Sequence, residues 1–341
     1  MRAAIENWLV SHWYSTQVPP WYLRSLEPIY RSAWQRARNR QLANARQSRA
    51  GLPLIVVGNI TTGGSGKTPL VIRLCQLANE LGLKAGIAST GYGRQSNETL
   101  IVSANSDTRE SGDEPVLLAQ RTGTPVAVAT SRHIAVQTLN EMNLDIVFSD
   151  DGLQYADLGA DIEICVVDGQ RGLGNGHLIP AGPLREPAER LSTVDYVVSN
   201  GLWDTKPAGI AVELMQLEAT RVRSLDDETE YGLEEFQAKQ AGANIHAFAG
   251  IGNPKRFFDM MTASGFRIEA NSRSDHYTFS SIDFAAVPQG ASILMTEKDS
   301  VKCRSLGLKN AWYMPVETRL PVGFERILKD RMLSLTKETT A

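Results

Sequence analysis

The sequence predicts an α/β fold: a P-loop NTPase-type parallel sheet flanked by helices, a smaller C-terminal α/β unit, and an N-terminal amphipathic helical segment. Three observations predict it. The run Thr61-Thr62-Gly63-Gly64-Ser65-Gly66-Lys67-Thr68 lies between apolar Leu54-Ile55-Val56-Val57 and a helix-forming stretch from Pro69 to about Leu81. That is the strand, glycine-rich turn and helix of a phosphate-binding loop. Further on, continuous apolar runs alternate with helical periodicity, as in a parallel sheet covered on both faces. The first fifty residues instead interleave tryptophan with arginine.

The 341 residues suffice for one large or two modest domains. We divide them into amphipathic helices at 1–50, a P-loop core at 51–220 and a smaller α/β domain at 221–341. The hydrophobic and charged fractions, 42% and 21%, are globular values that exclude a largely disordered chain. Cys75, Cys165 and Cys303 are far apart, with no metal spacing and no disulfide framework, which favours a reducing compartment.

In the N-terminal segment Ala4, Ile5, Trp8, Leu9, His12 and Trp13 share one helical face. Pro19-Pro20 interrupts, and a second helical run carries Tyr22, Leu26, Ile29, Tyr30, Ala33 and Trp34. Eight arginines (Arg2, Arg24, Arg31, Arg36, Arg38, Arg40, Arg46, Arg49) stand against Glu6 and Glu27, although the whole chain has net charge −3. Aromatic rings suit the polar–apolar boundary of a bilayer and arginines suit its anionic headgroups. Packing on the protein's own core fits the same pattern. No apolar run approaches the roughly 20 residues that cross a bilayer, and no signal peptide is evident. Cations confined to one terminus, without a reading motif, argue against nucleic acid.

After the first helix we expect strand Ala85–Ser89, a turn at Gly91-Tyr92-Gly93, a polar loop over 94–112 and a helix over Glu114–Gln120. Strand Val126–Ala129, helix Arg132–Glu141 and strands Ile146–Ser149, Ile162–Val167 and Tyr196–Val198 follow. A polar stretch at 223–243 leads to strand Ile245–Ala249, a helix from Asn253, strands Phe266–Glu269 and Ser292–Met295, and a last helix near Phe324–Leu333.

Chemistry concentrates at a few places. Glycines at 63, 64 and 66 let backbone N–H groups turn around phosphate oxygens, and the helix that follows adds its positive end. Lys67 can reach β- and γ-phosphates, and Thr68 can hold Mg²⁺. Asp150-Asp151 ends an apolar strand and supplies the metal carboxylates that such a loop requires; Asp151-Gly152 also fits a plain turn. Asp168 is a second strand-end aspartate. Asp113 opens a helix before Glu114-Pro115, as capping alone would produce, yet a kinase also needs a carboxylate for the acceptor hydroxyl. Gly172–Pro187 is too rich in glycine and proline to continue an element. It ends in Arg185-Glu186, which suits either a phosphate contact or a buried ion pair. Asp275-His276 and the charged run Thr296-Glu297-Lys298-Asp299 stand near the C-terminal strands, the latter readable as a turn.

Taken in order, these pieces resemble the tetraacyldisaccharide 4′-kinase family. The resemblance rests on Val57-Gly58-Asn59 with Thr61–Pro69, Gly112–Pro115, Asp150–Gln154, Asp168 through Pro187, Phe248-Ala249-Gly250-Ile251-Gly252-Asn253-Pro254, Asp275-His276 and Thr296–Lys302. Thr61, where a first P-loop glycine is usual, is typical of that family. The resemblance implies an ATP- and Mg²⁺-dependent kinase acting on the 4′-hydroxyl of an acylated disaccharide precursor of lipid A. It implies a peripheral position on the cytoplasmic face of the inner membrane, with no protein partner. It further implies Asp113 as general base with His276 as its dyad partner, Thr61–Thr68 around the nucleotide, and Thr68, Asp150 and Asp151 toward the metal. Arg185 and Glu186 become site residues. Three positions depart from the pattern: Thr90 replaces an arginine, Tyr155 a histidine, and Ala160 the arginine before Asp161. Arg94 and Arg132 are candidates for the missing cation. Two other readings keep the P-loop: a membrane-associated NTPase switch, and a relative that binds ATP without transferring phosphate.

Overall fold

Runs of apolar residues without polar alternation become central strands, because both of their faces are covered by helices. The computed structural model describes residues 2–15, 17–45, 51–227, 229–240 and 242–340. Arg46 and Arg49 lie outside the described residues, as do the side chains of Arg2, Ala4, Ile5 and Glu6. The chain begins with α1 (Arg2–Trp13), α2 (Trp21–Arg24) and α3 (Glu27–Ala45). Next come β1 (Leu54–Gly58), α4 (Lys67–Glu80), β2 (Ala85–Ser89), β3 (Leu100–Val102), α5 (Thr108–Ser111), α6 (Asp113–Thr122), β4 (Val126–Val128), α7 (Arg132–Asn140), β5 (Ile146–Asp150), β6 (Ile162–Asp168), β7 (Tyr196–Asn200) and β8 (Glu213–Glu218). A second run holds β9 (Arg221–Ser224), β10 (Glu230–Gly232), α8 (Leu233–Gln240), β11 (Ile245–Ala249), α9 (Pro254–Ala263), β12 (Ile268–Ser272), β13 (Ile293–Thr296), α10 (Glu297–Cys303) and β14 (Ala311–Met314). The chain closes with β15 (Glu317–Arg319) and α11 (Val322–Thr340).

Two sheets form. The first has nine strands in the order β15-β8-β7-β6-β1-β5-β2-β4-β3, and the second has six in the order β10-β9-β14-β13-β11-β12. In the first sheet β1 lies between β5 and β6, parallel to both. The strand order reverses there, and ligands settle outside the carboxyl ends of strands at such a switch. β1 alternates faces: Ile55 and Val57 join Leu70, Leu74, Val116, Phe324 and Leu328 on one side. Leu54 and Val56 join Ala135, Leu139 and Leu153 on the other. Both faces of β1 are covered, which leaves its carboxyl end for function.

Several expectations need correcting. The loop over 94–112 contains edge strand β3, antiparallel to β4, and the short α5. The polar stretch at 223–243 holds the end of β9, then β10 and α8; half-exposed strands at or next to a sheet edge keep polar residues and lose the apolar signature. Thr296–Asp299 is no turn: the Thr296 side chain accepts from the Asp299 N–H and starts α10. β12 begins at Ile268, and α11 runs beyond the expected Phe324–Leu333 in both directions. Finally, β15 returns to the first sheet beside β8, and α11 packs with it on that sheet's core.

Candidate active site

The carboxyl end of β1 runs into the glycine-rich loop, and α4 starts at Lys67. Gly66 caps the helix at φ 97°, the left-handed region that disfavours any side chain. A Cβ there would fall 2.5 Å from Asn200 Nδ2, which donates to the Ser65 carbonyl at 3.1 Å. The loop is therefore shaped from outside by β7. It is also held by the proline-rich loop: the Thr62 N–H donates to the Pro183 carbonyl at 2.8 Å and the Arg185 N–H to the Ile60 carbonyl at 2.7 Å. From the second sheet, Gly252 approaches so closely that a Cβ on it would collide with the Gly64 nitrogen. Arg171 donates to the Gly252 carbonyl at 2.7 Å. Asp168 accepts from Asn253 at 2.8 Å and faces Arg256 at 3.7 Å, so this strand-end aspartate joins the two units.

At the carboxyl end of β5, Asp151 pairs with Lys67 at 3.3 Å and with Arg185 at 3.2 Å. Burial opposes its charge, but Lys67, Arg185 and Arg132 hold its carboxyl well below the usual carboxylate range. Asp150 behaves oppositely. Burial, then Glu114, push its carboxyl up to about 7 against the pull of Lys67, with Asp151 adding to the rise. Its Oδ1 is buried without a hydrogen-bond partner. A buried carboxylate oxygen of this kind, one strand-end away from a phosphate loop, suits a cation. Mg²⁺ characteristically takes one or two carboxylates and completes its shell with phosphates and water, so Asp150, Asp151 and half-buried Thr68 fit it. Arg132 donates to the Asp150 carbonyl at 2.9 and 3.1 Å and lies over the Tyr155 ring at 4.6 Å. Tyr155 thus buttresses an arginine at the site. Arg94, the other candidate cation, donates to the Glu98 carbonyl instead.

Asp113 begins α6 and is 7% exposed. His276 arrives from the second unit, with Nδ1 3.2 Å from Asp113 Oδ1. Its backbone takes φ 58°, and its ring rests on Tyr92 at 4.9 Å between centroids. Burial would raise the Asp113 carboxyl, but the His276 hydrogen bond and Lys298 and Lys302 keep it well below the carboxylate range. For His276, burial and Lys298 lower the imidazole, while the Asp113 hydrogen bond raises it further, and the net shift is upward. Lys298 bridges the group, with Nζ 2.9 Å from Glu114, 3.3 Å from Asp275 and 3.4 Å from His276 Nε2. Lys302 lies 3.8 Å from Asp113 and 2.7 Å from Asp299. Neither lysine was singled out in the sequence. Their four-residue spacing after β13 is the one signal that puts both on a single face.

Arg185 and Glu186 diverge. Arg185 faces Asp151, whereas Glu186 is fully buried between Arg190 at 3.3 Å, Arg38 at 3.6 Å and Gln154 at 2.7 Å. The N-terminal segment holds this loop and the phosphate loop. Trp13 donates to the Pro180 carbonyl at 3.0 Å, Tyr14 to the Thr62 carbonyl at 2.9 Å, and Tyr30 to the Arg185 carbonyl at 2.9 Å. Glu27 meets His177 at 2.7 Å. A cavity of about 330 Å³ remains beside α3, lined by Tyr30, Trp34, Arg38, Gln154, Ile179 and Arg185 among others.

Comparison with known proteins gives the family. The family model described as tetraacyldisaccharide-1-P 4'-kinase matches residues 19–333. A tetraacyldisaccharide 4'-kinase of Pseudomonas putida (strain GB-1) is 39% identical over 98% of this chain and 99% of its own length. One from Stenotrophomonas maltophilia (strain R551-3) is 42% identical over 94% of this chain and 95% of its own length. The crystal structure of LpxK from Aquifex aeolicus in complex with ATP superposes with a TM-score of 0.73 at 25% identity, covering 92% of this chain and 99% of that one. With a nucleotide loop, a strand-end carboxylate pair and a cross-unit Asp–His pair in the matched region, the chain belongs to the tetraacyldisaccharide-1-P 4'-kinase family.

Proposed function

We propose that this protein transfers the γ-phosphoryl group of ATP to the 4′-hydroxyl of a tetraacyldisaccharide 1-phosphate precursor of lipid A, working peripherally at the cytoplasmic face of the inner membrane. The observation that carries the reading is a site with two halves. The first unit contributes Lys67 at the start of α4 and Asp150 and Asp151 at the end of β5, and the second brings His276 to Asp113. Glu114 links the halves, acting on Asp150 through its charge and on Lys298 through an ion pair. We assign residues 51–220 and the returning 317–340 to the nucleotide half and the six-stranded sheet to the half that closes on it.

Bound MgATP supplies the phosphoryl group and the metal charge that offsets it. Lys67 and the N–H groups of Gly63–Thr68 hold phosphate oxygens and neutralise charge that develops on them, while Thr61 and Thr62 anchor the loop to Leu184 and Pro183. Asp150, Asp151 and Thr68 orient the metal. Asp113 is ionised at neutral pH and aligns the acceptor hydroxyl, taking its proton, while His276 steadies the carboxylate. A carboxylate held so far below its usual range is a weak base in the ground state, so alignment outweighs proton affinity here. Arg185 sits where it can meet phosphate as well as Asp151, and Glu186 fixes the loop from behind. The cavity beside α3 and the exposed Trp21, Tyr22 and Ile29 suit an acylated substrate presented from a membrane. Among the described residues no helix is long and apolar enough to cross one.

The test is direct. Purified protein with γ-labelled ATP and the disaccharide 1-phosphate should yield labelled lipid and ADP only when both substrates are present. Intact ATP binding with no labelled lipid would overturn the reading and favour a binding-only relative.

A further inference from the structure

The two sheets are joined by two passages of chain: Ala219-Thr220 leads from β8 to β9, and Pro315-Val316 leads from β14 back to β15. β8 and β15 pair antiparallel with Glu218 opposite Glu317, so the passages lie side by side. One side chain grips them from α6. The Arg121 side chain is 12% exposed, with Nη1 2.6 Å from Glu297 and Nη2 2.8 Å from Glu317. Both nitrogens lie 3.4 Å from the Val316 carbonyl. Arg221, just past the other passage, shares Glu317 at 3.1 Å.

Glu297 is also the first residue of α10, the helix that carries Lys298 and Lys302. Helices α6 and α10 therefore meet twice. At one end Asp113 and Glu114 face Lys302 and Lys298. At the other, two turns further along α6, Arg121 holds Glu297. We propose that Arg121 is a positioning residue for phosphoryl transfer: by tying α10 to the Val316-Glu317 passage, it sets the angle at which the second unit presents His276 and Lys298 to Asp113 and Glu114. The inference rests on the reading of Asp113 and His276 as the pair that acts on the acceptor. Only arginine has separate, coplanar nitrogens for two carboxylates and a carbonyl at once. A buried charge cluster is an expensive way to gain stability, whereas its directional bonds fix one geometry.

Arg121→Lys keeps the charge beside the two carboxylates, but one ammonium cannot hold Glu297 and Glu317 in the same geometry. Glu297→Gln weakens the contact from the other helix. Each is measured for kcat and both KM values in the wild-type and His276→Ala backgrounds. Arg121→Lys should lower kcat about tenfold, a modest case of misplacement at a distance, with KM for ATP within about twofold. In His276→Ala the same change should cost clearly less than in wild type, because the part that acts through His276 is already lost and only the part through Lys298 remains. Equal losses in both backgrounds, or an unchanged kcat, overturn the proposal. Hydrogen exchange on the full chain without substrate supplies an arm independent of activity. Arg121→Lys should speed exchange at 275–279 and 297–303 and leave β1 and α4 unchanged. Uniform acceleration would mean a stability role alone and would also overturn it. If wild-type protein binds ATP yet phosphorylates no disaccharide, the functional reading fails, and the exchange arm still decides the positioning.

Discussion

At Asp113, burial and charge pull in opposite directions, and charge prevails because three cationic or hydrogen-bonding groups converge on one carboxylate. Replacing Asp113 with Ala should depress kcat strongly while ATP affinity, measured by titration calorimetry, stays within about threefold, since Lys67 and the glycine loop are untouched. Unchanged turnover would remove Asp113 from the reaction. The partner histidine makes a separate, thermodynamic prediction. Its folded-state value lies above the ordinary 6.5, so pairing of the imidazolium with Asp113 contributes stability that is fully present below pH 6.5 and lost as pH rises through the folded value. The melting-temperature difference between wild type and His276→Asn should therefore be largest below pH 6.5 and shrink above it. A gap that widens with rising pH would falsify the pairing. Asp113 and His276 were legible as single candidates, but Lys298 was hidden in a run that also reads as a charged turn, since charge alone does not say what a lysine faces.

The element that decides nucleotide handling is the turn from β1 into α4. Gly66 has both a left-handed φ and the Asn200 amide 2.5 Å from where a Cβ would sit. Gly66→Ala should lose about 1–2 kcal/mol from backbone strain alone, read from denaturant melts, and should weaken ATP binding as Asn200 and the Ser65 carbonyl move apart. Full retention of both would show that the loop is not shaped from β7. The glycine pattern itself was plain in the sequence because phosphate binding demands a fixed spacing. Its scaffolding was not: Asn200, Pro183, Tyr14 and Gly252 come from four distant segments, and no local period connects them. The same holds for the edge strands β3 and β10 and for β9 beside β10, whose polar residues conceal strands that pair on only one side or bury only one face.

On the scale of the whole molecule, the nucleotide half and the closing half meet along α6 and α10, and the N-terminal helices clasp the loop that carries Arg185. Those helices keep an apolar surface outward: Trp21 is 75% exposed and Ile29 67%. A Trp21→Ala/Ile29→Ala variant should sediment several-fold less with anionic phospholipid vesicles while binding ATP as wild type does. Equal sedimentation would leave those residues without a membrane role. The sequence by itself determined the fold class, the phosphate loop, the strand-end carboxylates and the family pattern, because each is written in local spacing: apolar runs make buried strands, and glycines make turns around anions. Only the tertiary structure decided that Glu186 is a buried anchor, that Arg132 rather than Arg94 stands by Asp150, and that Lys298 and Lys302 flank Asp113. These depend on which strand ends lie side by side and on how two sheets close on each other. Such contacts, several of them between residues far apart in the chain, are set by packing, not by any local pattern along the chain.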